Sequence, residues 1–218
     1  MCNRYGFKHP AHQLAEEFSE NGLPVIWTDG LVPNLAEQPQ IRPTNKAPVL
    51  RPVDPANPAA GVQLAQLRWG LVPWFHKKTV KEQKMLGTNA RCETVADLAS
   101  FKQAYAKRRC LVPATAFYEW SGPKGDKTMW EFTKVGEPLF CFAGLWDRAN
   151  CADGEVESFT ILTTTPGPEA AEVHDRQPVI LDRSEWATWL DLSKDVQPLL
   201  RPSSKGVLQA RQFSEAAA

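Results

Sequence analysis

The sequence predicts an α+β fold, a single domain of mostly antiparallel strands curling into a barrel-like core with helices packed outside it. Three observations predict it. Between residues 109 and 164, runs of alternating, β-branched or aromatic residues are separated by turn-like clusters. Amphipathic helical spacing is confined to a few short segments. A chain of 218 residues, 43% hydrophobic and 23% charged, can bury one sizeable core.

The elements follow in order. Residues 10–20 read as a short helix, with Pro10 suited to the first turn and Leu14 and Phe18 four apart on one face. Residues 21–61 are rich in Pro, Gly, Asn and Gln, interrupted by the apolar runs Val25-Ile26-Trp27 and Ala47-Pro48-Val49-Leu50, which suggests loops wrapping a core. Residues 62–74 read as a strand bent at Gly70 and Pro73, with Trp69 and Trp74 flanking the bend. Residues 95–107 read as a helix that Thr94 caps, with Asp97 three residues on. Strands are expected over 109–120, 128–134, 139–146 and 158–164. Turn-like connections stand at Gly122–Asp126, Gly136–Pro138 and Asn150–Gly154. A helix over 183–192 would bury Trp186, Trp189 and Leu190, and 207–213 forms a last strand. The tail from about residue 214 is expected to be disordered.

Composition narrows the function classes. The net charge is zero, so a polyanionic partner requires the basic residues to be gathered on one face. Two such gatherings exist, at Lys77, Lys78, Lys81 and Lys84 and at Lys102, Lys107, Arg108 and Arg109, although a solvated face is the more common meaning of such runs. The five cysteines are odd in number and lack C-x-x-C spacing, against a disulfide framework or a zinc site; no metal or cofactor is expected. No apolar run reaches the length of a membrane span and no basic-then-apolar leader opens the chain, which points to a cytoplasmic protein without membrane contact.

Four places carry chemistry. Cys2 follows Met1 directly, and removal of Met1 would put an α-amine and a thiol on adjacent carbons. The amine, with a reference pKa of about 7.7–8, can condense with an aldehyde, and the thiol can then close a thiazolidine ring. Asn89, Arg91 and Glu93 share one face if their segment is extended, either as an anion site or as ordinary capping and surface pairing. Glu119 closes the aromatic run Phe117-Tyr118-Glu119-Trp120; it is either a carboxylate raised in pKa for proton transfer or the outward residue of an alternating strand. His174, beside Asp175 and Arg176, suits a general acid/base with an anion clamp.

Taken together, Met-Cys-x-Arg at the start, Asn45-Lys46-Ala47-Pro48, Arg68-Trp69-Gly70-Leu71, Asn89-Ala90-Arg91-x-Glu93-Thr94, Phe117-Tyr118-Glu119-Trp120 and Val173-His174-Asp175-Arg176-x-Pro178 occur in one order. In that order the chain resembles the SRAP family, the SOS-response-associated peptidase or abasic-site-processing proteins, from Cys2 to about Leu181. The resemblance implies that the N-terminus is tucked into a central groove. It implies that Cys2 forms a thiazolidine link with the ring-opened aldehyde of an abasic site in single-stranded DNA. Asn89 would position the sugar or the amine, Glu119 would shuttle protons during imine formation, and His174 would assist ring opening and reversal of the link. Asn45 and Thr163 would line the pocket. Arg4, Arg91 and Arg176 would hold phosphates, while Trp69, Gly70 and Trp120 would shape the groove for unstacked bases. The chain would act as a monomer, nucleoid-associated when bound to DNA. Two positions depart from the family pattern: Asn3 stands where glycine is usual, and Pro43-Thr44 stand where an arginine–aromatic pair is common.

Three functions compete. The first is DNA–protein crosslinking at abasic sites, with strand-cleaving lyase activity through the same imine. The second is a cysteine peptidase with Cys2 as nucleophile and His174 as base, which also needs an oxyanion hole. The third is a passive single-strand binder using Trp69, Trp74 and the arginines, sensitive to salt and indifferent to Cys2.

Overall fold

The computed structural model describes residues 2–27, 30 and 35–214. The expectations for Met1 and for the tail beyond residue 214 lie outside the described residues. In chain order the first elements are β1 (Tyr5–Phe7), α1 (Ala11–Glu20), β2 (Gln38–Ile41), β3 (Lys46–Pro52), β4 (Val62–Trp69) and β5 (Asn89–Arg91). The middle holds α2 (Lys102–Lys107), β6 (Arg109–Ala114), β7 (Ala116–Ser121), β8 (Thr128–Lys134), β9 (Phe140–Cys151) and β10 (Gly154–Thr164). The last elements are α3 (Pro168–Ala171), β11 (Gln177–Pro178), β12 (Ile180–Leu181), α4 (Trp186–Leu190) and β13 (Leu208–Gln212).

The barrel closes through strand pairing. β3 pairs β4 and β6, β6 pairs β9, β9 pairs β10, and β10 returns to β4, making a closed ring of five strands. All of these pairings are antiparallel except β10 with β4. Closure leaves no open edge within the ring. A second, five-stranded sheet runs in the order β13-β8-β7-β1-β2. One apolar core spans both sheets. Tyr5 of β1 meets Trp69 of β4 edge-to-face at 5.1 Å and Phe142 of β9 at 5.8 Å. The helices lie outside: Phe18 of α1 stacks on Trp186 at 4.5 Å, so the first and last helices cover the barrel as a unit.

Two expected elements divide differently. The strand expected over 109–120 breaks at Thr115, whose N–H and hydroxyl both donate to the Gly6 carbonyl, at 2.8 and 3.2 Å. That switch sends β6 into the barrel and β7 into the second sheet. The helix expected over 95–107 is helical only from Lys102. Upstream, Cys92 N–H still donates to the Thr163 carbonyl, continuing the β5–β10 pairing, and the chain then makes successive turns that drive Val95 and Phe101 into the core.

Trp69 is fully buried, and its indole N–H donates to the Thr88 carbonyl at 2.9 Å. Trp69→Phe removes that hydrogen bond and part of the packed ring. It should lower stability by about 1–3 kcal/mol, read as a fall in the urea midpoint at unchanged slope. An unchanged midpoint would mean that the indole N–H bond and the part of the ring removed contribute nothing to stability.

Candidate functional site

The start of β1 lies between strands that carry the predicted chemistry. Tyr118 N–H of β7 donates to the Arg4 carbonyl at 2.9 Å, which sets Glu119 beside the N-terminal residues. β5 pairs in parallel with β10, Asn89 opposite Ile161 and Arg91 opposite Thr163. From that register the Asn89 side-chain amide donates to the Cys2 carbonyl at 2.8 Å and to the Asn3 side-chain oxygen at 3.3 Å. α3 ends with His174 N–H on the Ala170 carbonyl, and β11 then pairs with β10, Gln177 opposite Thr164. This brings His174 Nε2 to 3.8 Å from the Glu119 carboxylate. Cys2, Asn89, Glu119 and His174 therefore converge from distant parts of the sequence.

Asn3, Glu119, Trp120, Lys127 and His174 line a cleft of about 430 Å³. Its electrostatics follow from burial. Glu119 is 3% exposed, and desolvation pushes its carboxyl up to about 7. Burial also pushes the Cys2 thiol far above its ordinary value, and the Glu119 charge adds to the rise. The thiol is therefore protonated at neutral pH, donating to the Arg4 carbonyl at 3.3 Å. Burial lowers the His174 imidazole below its ordinary value. Its Nδ1 lies 3.0 Å from the Arg176 N–H and 2.9 Å from the Asp175 carboxylate, and its Nε2 faces Glu119. The Asn89 Oδ1 is buried and makes no hydrogen bond among the described residues, so one acceptor is open beside Cys2.

The predicted binding residues fall into separate groups. Arg4 lies over the Trp120 ring at 5.0 Å, and both are partly exposed beside the cleft. Arg91 is exposed. Arg176 is bound bidentately by Glu93 at 2.6 and 2.9 Å and also donates to the Thr163 carbonyl at 2.6 Å. That pairing holds the Glu93 carboxyl down at about 2, chiefly through the Arg176 hydrogen bonds. The expected phosphate clamp is thus already engaged as a brace, because β11 carries it back against β5 and β10. Thr163 is buried beneath it. Asn45 is exposed and accepts Arg42 N–H at 2.8 Å, closing its own turn. Thr44 in that turn adopts φ +75°, a costly conformation for a β-branched residue.

Trp69 has no exposed face for a base. Gly70, at φ +117°, admits the Leu86 carbonyl, which a Cβ would meet at 2.6 Å, so the close approach expected there is to backbone. Lys127 was not singled out from the sequence. It sits in the β7–β8 connection, eight residues after Glu119, in a segment whose Gly and Pro content signals only a turn. Its charge nevertheless acts on both Glu119 and His174.

The family model for SOS response associated peptidase (SRAP) proteins matches residues 1–217. The chain is 32% identical over 221 residues to the abasic site processing protein YoqW of Bacillus subtilis, covering 98% of this chain and 92% of the relative. It is 30% identical over 165 residues to the abasic site processing protein HMCES of Xenopus tropicalis, covering 64% and 49%. A solved protein of Bordetella bronchiseptica superposes with a TM-score of 0.80 at 25% identity, covering 98% of this chain and all of that one. One of Bacteroides thetaiotaomicron, at 24% identity, shares the fold with a TM-score of 0.82, covering 98% and 93%.

The raised Glu119 carboxyl has a thermodynamic signature. The folded state holds this proton up to about pH 7, whereas the unfolded chain releases it near the ordinary glutamate value of about 4.5. The contribution to stability is therefore complete below about pH 4.5 and is lost as pH rises to 7. Glu119→Gln, which cannot ionise, should be more stable than the parent by about 3 kcal/mol at pH 8, with the advantage shrinking towards pH 4.5. Urea titrations across that range measure it, and parallel pH profiles for the two proteins would refute the assigned protonation.

Proposed function

The chain belongs to the SRAP family, and from that membership and the chemistry around Cys2 we propose that it processes abasic sites in single-stranded DNA by covalent capture. One copy of the chain suffices, with the linked protein travelling with the DNA. The observation that carries this reading is the convergence of Cys2, Asn89, Glu119 and His174, with the Glu119 carboxyl buried and pushed up to about 7.

The steps balance with the groups at hand. With Met1 removed, the Cys2 amine adds to the sugar aldehyde to give a carbinolamine. Glu119 donates a proton to the departing hydroxyl, water leaves, and a protonated imine forms beside the Glu119 carboxylate. The thiol sulfur adds to its carbon and the thiol proton passes to the Glu119 carboxylate, restoring the acid, while nitrogen keeps the one proton it already carries. The sum is aldehyde, amine and thiol giving thiazolidine and water. The open Asn89 acceptor suits the amine or a sugar hydroxyl. His174, neutral and facing Glu119 through Nε2, would serve ring opening of the sugar and return of a proton on reversal. Elimination of the 3′ phosphate from the same imine would give lyase activity. Arg4, Arg91 and Lys127 are the cations that would meet phosphates, with Trp120 as the stacking ring.

A protonated thiol favours this route over peptidase chemistry, in which a thiolate must attack a carbonyl. In aldehyde capture the amine acts first and the neutral thiol follows. Asn3 fits the same picture, since its side chain holds Asn89 and Thr88 at the cleft mouth, at 3.3 and 3.4 Å.

The first test is a denaturing gel of Met1-free protein with a single-stranded oligonucleotide carrying one abasic site. A denaturation-resistant band requiring both the aldehyde and Cys2, and absent for Cys2→Ala, is expected. His174→Ala should retain the band and slow its reversal. No band from protein shown by mass spectrometry to begin at Cys2 overturns the proposal, and salt-sensitive binding indifferent to Cys2→Ala would leave a passive binder. The capture rate should peak between about pH 7 and 8, because the amine must be unprotonated and Glu119 protonated. Lys127→Ala should flatten the salt dependence of binding by about 0.7 in the log–log slope, the loss of one phosphate contact.

A further inference from the structure

Trp74, Phe75, Met85 and Leu86 are 47%, 43%, 73% and 52% exposed, and all four belong to the segment joining β4 to β5. The backbone of that segment is nonetheless tied down. Trp74 N–H donates to the Asp147 carboxylate at 3.0 Å, and Val80 N–H to Asp153 at 3.2 Å. The Gln83 side-chain amide donates to the Leu71 carbonyl at 2.7 Å, and Leu71 N–H to the Gly87 carbonyl at 3.0 Å. Thr79 and Glu82 close a reciprocal capping box between these ties. Gly87, at φ +58°, is needed there, since a Cβ would lie 2.5 Å from the Leu71 carbonyl. An ordered backbone that holds large apolar side chains in water forgoes the gain that burial would give, and such patches mark interaction surfaces.

The same segment forms a cleft of about 330 Å³ whose apolar lining is Leu71, Pro73, Phe75, Met85 and Phe101. Lys78 and Lys84 stand at this cleft, and Lys77 and Lys81 lie exposed in the same stretch of chain. Glu82 is the single carboxylate among the described lining residues, and it is held by the Thr79 N–H and hydroxyl at 3.1 and 2.7 Å. The surface thus combines an apolar hollow with a rim of lysines.

We propose that this cleft docks an acidic peptide segment of a partner protein, whose bulky apolar side chain fills the hollow while its carboxylates meet Lys77, Lys78, Lys81 and Lys84. The hollow is concave and partly aliphatic, whereas single-stranded nucleic acid is bound by flat rings on which bases stack. Charge complementarity selects the acidic segment and the hollow selects its apolar residue. Gly87 leads through Thr88 to Asn89, so a docked segment lies beside the cleft that holds Glu119 without occupying it.

The test is fluorescence anisotropy with a fluorescein-labelled peptide of aspartates ending in leucine and phenylalanine. Saturable binding is expected, weakened about tenfold or more by Met85→Glu, by Lys78→Glu combined with Lys84→Glu, and by replacing the apolar pair of the peptide with alanines. These positions are exposed, so circular dichroism should match the parent, and capture of the abasic oligonucleotide should be unchanged. That control separates this proposal from the capture reaction, since either can fail alone. Absence of saturable binding overturns it, as does binding indifferent to Met85→Glu. Displacement of the peptide by oligothymidylate, with only the lysine reversals mattering, would make the surface a nucleic-acid site and overturn it as well.

Discussion

Strand β10 is hydrogen-bonded to four others, and the remaining architecture depends on that sharing. Its pairing with β9 and β4 closes the barrel, while its far end takes β5 in parallel and β11 antiparallel. Those last two pairings decide where Asn89 and His174 stand. Thr163 is the common point: its carbonyl accepts both Cys92 N–H and the Arg176 guanidinium. A one-residue slip of β5 along β10 would turn Asn89 away from Cys2, because successive strand residues face opposite sides. The geometry of the site is thus fixed by the same register that closes the core.

The charged groups around the site divide into a brace and a working set. Arg176 and Glu93 neutralise one another through two short hydrogen bonds and hold β11 against β5. Removing either partner would strand a charge that is mostly buried on the Arg176 side, so this pair acts on the placement of His174. Glu119, by contrast, is desolvated by burial, which is why its proton is held to near neutrality. Glu93 and Glu119 thus have opposite protonation behaviour, set by what each touches.

Much of this was legible in the residues. The β-rich middle, the terminal helices with Trp186 and Trp189 inward, and the grouping of Cys2, Asn89, Glu119 and His174 all follow from pattern and from family resemblance. What escaped was set by tertiary partners. Nothing local marks Thr115 as a break, since its hydrogen bonds go to Gly6, more than a hundred residues away. Trp69 and Gly70 sit in a motif that suggests a ligand platform, yet the ring faces Tyr5 and the glycine faces Leu86. Periodicity extended the second helix too far because the β5–β10 pairing, invisible in sequence, claims its first residues for turns. Lys127 was missed because a lysine in a polar hairpin is ordinary until the fold brings it over Glu119.

The titratable groups of the cleft share one property that bears on its chemistry. At neutral pH the Cys2 thiol carries its proton, the His174 ring is neutral, and Glu119 is divided between its two forms. Burial enforces all three, because each would otherwise leave an ion in a poorly solvated cleft. Such a site is unsuited to holding a permanent thiolate–imidazolium pair, which needs the opposite protonation of both groups. It suits a reaction whose charges appear transiently on nitrogen and oxygen and are passed on by a carboxyl that gains and loses its proton at equal ease. The low polarity that destabilises Glu119 as an anion is also what would make it an effective carrier in the proposed capture, and the fold tolerates the cost because β10 and the Arg176 brace hold the surrounding strands independently of it.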